Sequence, residues 1–380
     1  MQLNRLDMKK ISVITLQNVR NYGSVLQALA TQDVLEKVGR GQWKVDFLNY
    51  YKPGTTTIKE RIDRWTRGFN SIKKLIYALI LRPSMQREEK VFTSFLKKYV
   101  NAQDTEVTTS DDFKKLTLDS DIYCSGSDQT WNSNWNDGVV PELFLSFVPD
   151  NIKKIAYAGS FGKSKLDDDE VEKTKELISR YDAISVRESS AVNIVRGLGK
   201  EATLVLDPTL QVTKDYWLNK FNISIDKDKN PYVLVYQLNT NKNFDKYAKE
   251  FAKHKGLKLV RFCIRHYQMF RGGHPVIIPP VEEFVRLIAN AKFVITDSFH
   301  ATAFSINLNT DMICIYPHEF SGRIASILNL TGLMDRHLKD YNDFSFVSAK
   351  PIDFEPINRI LENVRKIGED FLSKALYYER

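Results

Sequence analysis

Short apolar runs rich in β-branched residues alternate along the chain with stretches of helical period. Such runs predict strands, and apolar residues recurring every three or four positions predict helices. In the first half, strands are predicted at Ile11–Leu16, Val45–Leu48, Ile122–Cys124, Lys154–Ala158, Ala183–Val186 and Thr203–Leu206, and helices at Val25–Val38, Asp168–Arg180 and Ser189–Gly197. Strands that are apolar throughout and separated by helices indicate a parallel sheet covered on both faces.

A second series of the same kind begins after the polar stretch 222–231, which ends in the breaker cluster Lys227–Pro231. Its predicted strands are Tyr232–Leu238, Leu257–Phe262, Val276–Ile278, Phe293–Thr296 and Met312–Ile315, and its predicted helices are Phe244–Lys255, Val281–Ala289, His300–Ile306, Arg323–Leu330 and Pro356–Tyr378. Because 380 residues exceed what one core usually supports, two domains are expected.

The pattern predicts an α/β protein with two doubly wound parallel sheets that face each other and a long C-terminal helix. The expected segments are a disordered extension at 1–7, an N-terminal domain at 8–221 with a helical excursion at 56–100, a linker at 222–231, a C-terminal domain at 232–350 and a terminal helix at 351–380. Ligands are expected in the crevice outside the carboxyl ends of the strands.

The turn after the strand Phe293–Thr296 carries the strongest chemical signal. Asp297 or Ser298 is positioned to cap the following helix, whose free amides and positive dipole end favour an anion. His300 at this point would meet that anion and exchange a proton with it. The alternative is an ordinary strand-to-helix turn with a structural histidine.

Three turns in the N-terminal half have a similar polar character. Asn18–Ser24 opens the first helix and has one glycine, so it is neither a dinucleotide fingerprint nor a P-loop. Cys124–Asn132 places Asp128 and amide side chains beside Trp131, which suits hydroxyl-rich ligands such as sugars or, alternatively, a packed tryptophan. Arg187 ends a strand, where its planar fork would clamp a carboxylate unless it only forms a surface pair with Glu188.

Composition narrows the class of protein further. The chain is 43% hydrophobic and 27% charged, as in ordinary globular proteins, and its formal net charge of +8 suits an anionic partner. Three scattered cysteines in apolar runs predict buried thiols and not a disulfide framework or a zinc site. No apolar run approaches the roughly 18 residues of a membrane-spanning helix. A cytoplasmic protein is expected.

Five motifs in order resemble the polysaccharide pyruvyl transferase family over about residues 11–333. They are Asn21–Gln27, Gly126–Asn132, Ser185–Glu188, Asp207–Leu210 and Thr296–His300. The resemblance implies a GT-B-like fold and the transfer of pyruvate from phosphoenolpyruvate onto a glycan as a ketal, in bacterial surface polysaccharide synthesis (capsule or exopolysaccharide). Two departures stand out: Ser298 occupies a position that is arginine in some branches, and Ala301 replaces the usual glycine.

Ketal formation needs a proton for the donor's methylene group, two anion-binding groups and a held diol. His300 is expected to donate the proton or contact the phosphate, and Asp128 to act as base for the attacking hydroxyl. The expected donor-binding residues are Arg187 for the carboxylate and Ser298, Ser321, Gly322 and Arg323 for the phosphate. The expected acceptor-binding residues are Asn21, Tyr22, Gln27, Ser127, Gln129 and Trp131. No metal or cofactor is expected, with phosphoenolpyruvate as co-substrate.

The stretch 59–82 stands apart from the Rossmann-like pattern. It carries seven Lys or Arg residues against Glu60 and Asp63, interleaved with aromatic and aliphatic residues. Such a helix either lies on an anionic membrane, where a lipid-linked acceptor would be found, or packs on the N-terminal domain with a solvated basic face. A nucleic-acid partner is not expected, because no recognised binding module accompanies the charges.

Two other functions fit the same pattern. One is a GT-B glycosyltransferase that uses a nucleotide-sugar donor. The other is a non-catalytic glycan-binding or assembly subunit. The compound released from the donor discriminates among the three.

Overall fold

The computed structural model of the chain describes residues 8–317 and 321–378. Backbone packing divides them into two compact units. The first unit contains residues 8–53, 95–212 and 362–378, and the second contains the described residues of 54–94 and 213–361. The expected extension at 1–7 lies outside the described residues.

The first unit is built on a parallel sheet. Its strands are β1 (Lys9–Ile14), β2 (Trp43–Tyr50), β3 (Ala102–Val107), β4 (Ile122–Ser125), β5 (Lys153–Gly159), β6 (Ala183–Val186) and β7 (Thr203–Leu204). They are ordered β3-β2-β1-β4-β5-β6-β7, so the chain reverses direction across the sheet between β1 and β4. That reversal is the topological switch point of a Rossmann-like sheet, where a crevice opens at the strand carboxyl ends.

The second unit repeats this plan with fewer strands. Its strands are β8 (Tyr232–Tyr236), β9 (Lys258–Cys263), β10 (His274–Ile277), β11 (Phe293–Thr296) and β12 (Asp311–Cys314). They are parallel and ordered β10-β9-β8-β11-β12, which places the switch point between β8 and β11. Both units are therefore Rossmann-like α/β units, as predicted.

The helices cover the sheets and connect their strands. They are α1 (Tyr22–Val38), α2 (Ile58–Trp65), α3 (Ser71–Tyr99), α4 (Ser110–Phe113), α5 (Ser133–Asn136), α6 (Val171–Ser179), α7 (Ser189–Gly197), α8 (Pro208–Gln211), α9 (Lys214–Lys220), α10 (Lys242–His254), α11 (Val281–Asn290), α12 (Phe299–Asn307), α13 (Ser321–Thr331) and α14 (Phe354–Tyr377). The predicted long C-terminal helix is α14. Within the described residues, no helix is long and apolar enough to cross a bilayer.

Buried strands explain why the sequence pattern located most elements. Ile11, Val13 and Phe47 in the first sheet and Val294 and Ile295 in the second are inaccessible to solvent. Strand β3 was not predicted because its sequence, AQDTEV, is polar and mostly exposed at the sheet edge. Cys124, Cys263 and Cys314 are buried free thiols, as expected.

The helical excursion differs from its predicted place. The sequence pattern predicts residues 56–100 as part of the N-terminal domain, whereas residues 54–94 group with the second unit. Arg87 donates to the carbonyl oxygens of Ile277 and Ile278 at 3.0 and 2.9 Å, and the Oγ of Ser84 lies 2.9 Å from Nδ1 of His266. These contacts join residues nearly two hundred positions apart, which a local pattern does not reveal.

Candidate functional site

Asp128 occupies the switch point of the first sheet. It follows β4 with a φ of +76°, a left-handed conformation that aspartate adopts more readily than most residues. Its Oδ2 accepts a hydrogen bond from the hydroxyl of Ser24 at 2.5 Å, and its Oδ1 accepts one from the backbone N–H of Gln129 at 2.8 Å. Since Ser24 lies in the first turn of α1, the carboxylate connects the turns that follow β1 and β4.

Arg187 lies beneath Asp128 in a buried ion cluster. Its guanidinium is 2.6 Å from Oδ2 of Asp207, 3.4 Å from Oδ1 of Asp128 and 3.7 Å from Oε2 of Glu188, and its side chain is fully buried. Burial lowers the pKa of Arg187, but the three carboxylates outweigh it and the net shift is upward. The guanidinium is charged and its fork is occupied by protein carboxylates.

This placement corrects both expectations for Arg187. It is not an open clamp for a donor carboxylate, and it is not an exposed surface pair with Glu188. Breaking such a buried cluster on one side leaves uncompensated charge, so Arg187 is a positioning residue that fixes Asp128.

Glu188 and Asp207 organise the neighbouring turns, a role that the sequence analysis missed. Oε1 of Glu188 accepts hydrogen bonds from the hydroxyl of Ser160 and the backbone N–H groups of Phe161 and Gly162 at 2.8, 3.1 and 3.2 Å. Asp207 caps α8 by accepting from the backbone N–H of Thr209 at 2.9 Å. Both carboxylates stand within the recognised motifs, which was the only sequence signal for them.

Three of the expected acceptor residues are buried in the first unit. The hydroxyl of Ser127 donates to Asp207 at 3.2 Å, and Gln27 donates to the hydroxyl of Thr15 at 3.1 Å. Tyr22 is also buried. All three residues are almost inaccessible to solvent, which argues against their expected role in acceptor binding.

Asn21 and Gln129 belong to the two turns that meet at the switch point, after β1 and β4. Asn21 is partly exposed and caps α1 by accepting from the backbone N–H of Gly23 at 2.8 Å. Gln129 follows Asp128 directly, and its side-chain oxygen accepts from Asn132 at 3.1 Å. Asp128, Gln129 and Asn21 are therefore the predicted residues that the fold brings to this switch point.

Trp131 is a core residue, which corrects its expected role as a sugar platform. Its ring stacks on Phe144 at a centroid distance of 5.3 Å, and Phe161 and Tyr181 pack beside it. Its indole N–H donates to the carbonyl oxygen of Leu143 at 3.3 Å. The packed alternative is the one observed, because Trp131 fills the core beside β5 instead of facing the crevice.

Asp297 links the two turns that meet at the switch point of the second sheet. Its carboxylate accepts from the backbone N–H groups of Leu238 and Asn239 at 2.7 and 2.9 Å and from the side-chain amide of Asn239 at 3.1 Å. Burial raises the pKa of Asp297, and these hydrogen bonds oppose the shift. Asp297 therefore holds the turn after β8, whereas Ser298 caps α12 by accepting from the backbone N–H of Ala301 at 3.4 Å.

His300 is the second residue of α12, so it stands at the helix N-terminus, as predicted. Its side chain packs edge-on against Phe299 with ring centroids 5.2 Å apart, and the residue is 7% exposed. All of α12 is buried, so this end is fixed in the unit. The backbone amides of its first turn and the helix dipole favour an anion beside the imidazole.

Arg323 reaches the same place from α13. Its guanidinium lies 5.5 Å from the ring centroid of Phe299, the residue that also contacts His300. A cation over an aromatic face is attracted by the ring quadrupole. Gly322 is exposed, and the side chain of Ser321 lies outside the described part of the structure. Ser298 and His300 therefore stand at the start of α12, and Arg323 contacts Phe299, the residue between them.

The fold is similar to that of GT-B enzymes acting on nucleotide sugars. A UDP-GlcNAc 2-epimerase from Methanocaldococcus jannaschii matches with a TM-score of 0.51 and 13% identity, over 93% of this chain and 99% of that one. A putative UDP-N-acetylglucosamine 2-epimerase from Listeria monocytogenes matches with a TM-score of 0.50 and 11% identity, over 97% and 91%. At these identities the likeness shows the fold alone. No curated protein sequence matches the chain.

The family profile described as polysaccharide pyruvyl transferase matches residues 21–319, which span both switch points. The chain belongs to this family. It is a polysaccharide-modifying transferase with a GT-B-type fold.

Proposed function

We propose that the protein transfers pyruvate from phosphoenolpyruvate onto two hydroxyls of a glycan as a ketal, in the biosynthesis of a bacterial surface polysaccharide. The observation that carries the proposal is the grouping of Ser298, His300 and Arg323 at the N-terminus of α12. Such a grouping would bind an anion beside a group that can transfer a proton. Family membership supports the reaction class.

The reaction sets specific demands on such a site. A proton is added to the methylene carbon of phosphoenolpyruvate, which leaves an oxocarbenium-like centre at the neighbouring carbon. One glycan hydroxyl attacks that centre, phosphate leaves with the C–O bond electrons, and the second hydroxyl closes the ring. Of the two hydroxyl protons released, one replaces the proton spent on the methylene and the other leaves with phosphate.

His300 is the proposed proton donor to the methylene carbon or the proposed partner of the phosphate. Bound phosphate would favour the imidazolium form, so arrival of the donor would charge the histidine. Arg323 and the first-turn amides of α12 would bind the phosphate oxygens. The Ser298 hydroxyl accepts from Ala301, which leaves its own proton available for donation to the ligand.

Asp128 is the proposed base for the attacking hydroxyl. The neighbouring guanidinium of Arg187 favours its ionised form, and the bond from Ser24 orients the carboxylate. Asn21 and Gln129 are the proposed acceptor contacts. The acceptor is proposed to be lipid-linked. No cofactor is proposed, because phosphate leaves directly from the co-substrate.

The test is release of inorganic phosphate from phosphoenolpyruvate with and without a glycan acceptor. We expect release that depends on the glycan, and a fall of about 10²–10⁴-fold in turnover for His300→Ala, the usual range for a general acid or base. The matched control is His274→Ala, at an exposed position on β10, and its turnover should equal that of wild type.

Other outcomes would contradict the proposal. A nucleotide-sugar transferase would release a nucleotide, and a glycan-binding subunit would release nothing from either donor. Wild-type turnover in His300→Ala at saturating donor would remove His300 from the mechanism.

A further inference from the structure

The first part of α3 exposes an apolar stripe that its own unit does not cover. Its side chains recur at the spacing of one helix face and are between 47% and 74% exposed: Ile72, Leu75, Ile76, Leu79 and Ile80. The stripe spans about 12 Å of helix axis. Contiguous exposed aliphatic surface of this kind is rare in monomeric proteins and marks an interaction site.

The opposite face of the same helix is packed normally. Leu81 and Met85 are buried against Ile62 of α2, with Ile58 and Ala78 packed beside them. Helix α10 of the same unit is comparably basic, but its Phe244, Tyr247 and Phe251 are buried. The exposure of the α3 stripe is therefore a property of this segment and not of amphipathic helices in the unit generally.

The helix that carries the stripe is anchored by contacts within its own unit, so the stripe stays helical and exposed. Pro83 stands in the helix just beyond the stripe, and beyond it Ser84 and Arg87 bind His266 and the carbonyl oxygens of Ile277 and Ile278. Arg61 of α2 donates to Glu89 at 3.0 Å. These contacts anchor the hairpin of α2 and α3 and leave residues 71–80 projecting.

Basic side chains surround the stripe. Between Ile58 and Arg82 there are seven Lys or Arg residues and two acidic ones, and one of those, Asp63, is paired with Lys74 at 2.8 Å. A groove of about 540 Å³ between the two helices is lined by Ile62, Leu75 and Ala78 together with Lys59, Lys74 and Arg82. The surface thus combines an apolar face with a net positive charge.

Two amphipathic aromatic residues of the same pair of helices are also exposed. Trp65 and Tyr77 are 60% and 41% exposed, and the guanidinium of Arg265 lies 5.7 Å from the ring of Trp65. Tryptophan and tyrosine are enriched where an apolar phase meets water, because one end of each side chain is polar. A second copy of this surface would bring like charges together, which disfavours self-association through it.

We propose that the stripe and its basic surroundings form a docking surface for an anionic phospholipid bilayer. The helix would lie in the plane of the headgroups with the five aliphatic side chains below it and the Lys and Arg side chains at the level of the phosphates. This inference does not rest on the proposed donor or reaction, because it uses residues outside both switch points.

The test is cosedimentation of the full chain with vesicles. We expect binding to phosphatidylcholine vesicles that contain about 30% phosphatidylglycerol, weak binding to phosphatidylcholine alone, and release of much of the protein at about 0.5 M salt. Replacing Ile72, Ile76 and Leu79 with glutamine should weaken binding by about tenfold or more. These side chains are exposed, so circular dichroism and the unfolding midpoint should stay unchanged.

Charge is tested with a matched pair of variants. Arg67→Gln/Lys73→Gln/Arg82→Gln should weaken binding by about 10²-fold in total, since each basic residue near the membrane surface contributes about fivefold to the affinity. Lys97→Gln/Lys175→Gln/Lys246→Gln removes the same charge from exposed sites elsewhere and should stay within about threefold of wild type.

Three results would overturn the proposal. One is a wild-type protein that does not bind anionic vesicles. Another is an equal loss of vesicle binding in the two charge variants. The third is a wild-type protein that does not bind vesicles and sediments as a dimer, together with an apolar variant that sediments as a monomer. That result would assign the stripe to self-association.

Discussion

The carboxylate of Asp297 accepts two hydrogen bonds from Asn239, one from its backbone N–H at 2.9 Å and one from its side-chain amide at 3.1 Å. This pair joins the turns after β11 and β8 across a switch point. In the first unit Asp128 binds Ser24 at the same topological place, between the turns after β4 and β1. In each sheet an aspartate therefore joins the two turns at the switch point through hydrogen bonds.

Asp297→Asn tests the first of these links. An asparagine keeps one acceptor oxygen but turns an NH₂ group toward N–H donors, so one or more buried donors lose their partner. We expect the free energy of unfolding to fall by about 1–3 kcal/mol in urea. Asp228→Asn, at an exposed carboxylate in the same unit, should change it by less than about 0.5 kcal/mol. Equal stability of the two variants would mean that the Asp297 contacts do not contribute to the free energy of unfolding.

Removal of the Arg187 guanidinium should be strongly destabilising. Arg187→Met leaves Asp207, Asp128 and Glu188 without their shared cation in a buried cluster. The expected loss is about 3–5 kcal/mol, measured by denaturant unfolding. Arg359→Met, which removes an exposed arginine, is the control and should lie near wild type. A small loss in Arg187→Met would instead support a guanidinium open to ligand.

Lys227 gives a prediction for the dependence of stability on pH. Burial lowers its pKa to about 8, although it donates to the carbonyl oxygen of Asn309 and the hydroxyl of Thr310. Between pH 8 and the model-compound value of 10.5 the unfolded chain binds more protons than the folded one. The stability contributed at this site therefore rises with pH across that window.

The measurement compares wild type with Lys227→Met from pH 7 to 10.5 by urea unfolding. The stability of wild type relative to the variant should increase above pH 8. Lys229→Met, at an exposed neighbouring position, should show no such trend relative to wild type. A flat difference for Lys227→Met would show that its pKa is not depressed in the folded protein.

The elements that could be predicted from the sequence are those whose signal lies in neighbouring residues. Buried parallel strands such as β6 and β11 appear as short β-branched runs, and their predicted bounds match the structure. Ser298 and His300 were predictable at the start of α12 because a cap and a strand end are local features. The polar edge strand β3 has no apolar signal, so it was missed.

Long-range packing accounts for the residues whose roles changed. Trp131 lies in a polar turn of the sequence, yet its ring reaches Phe144 and Tyr181 in the core. Arg187 stands at a strand end, but Asp207 and Asp128 arrive beside it only in the folded sheet. Neither meeting can be read from spacing along the chain.

The most direct measurement follows the fate of the donor's carbon. The protein is incubated with a glycan acceptor and phosphoenolpyruvate that is isotope-labelled at its second carbon, and the glycan is examined by NMR. Pyruvyl transfer predicts a labelled quaternary ketal carbon on the glycan, formed in step with inorganic phosphate and lost in His300→Ala. Label that remains in phosphoenolpyruvate or free pyruvate, with an unmodified glycan, would contradict the proposed function.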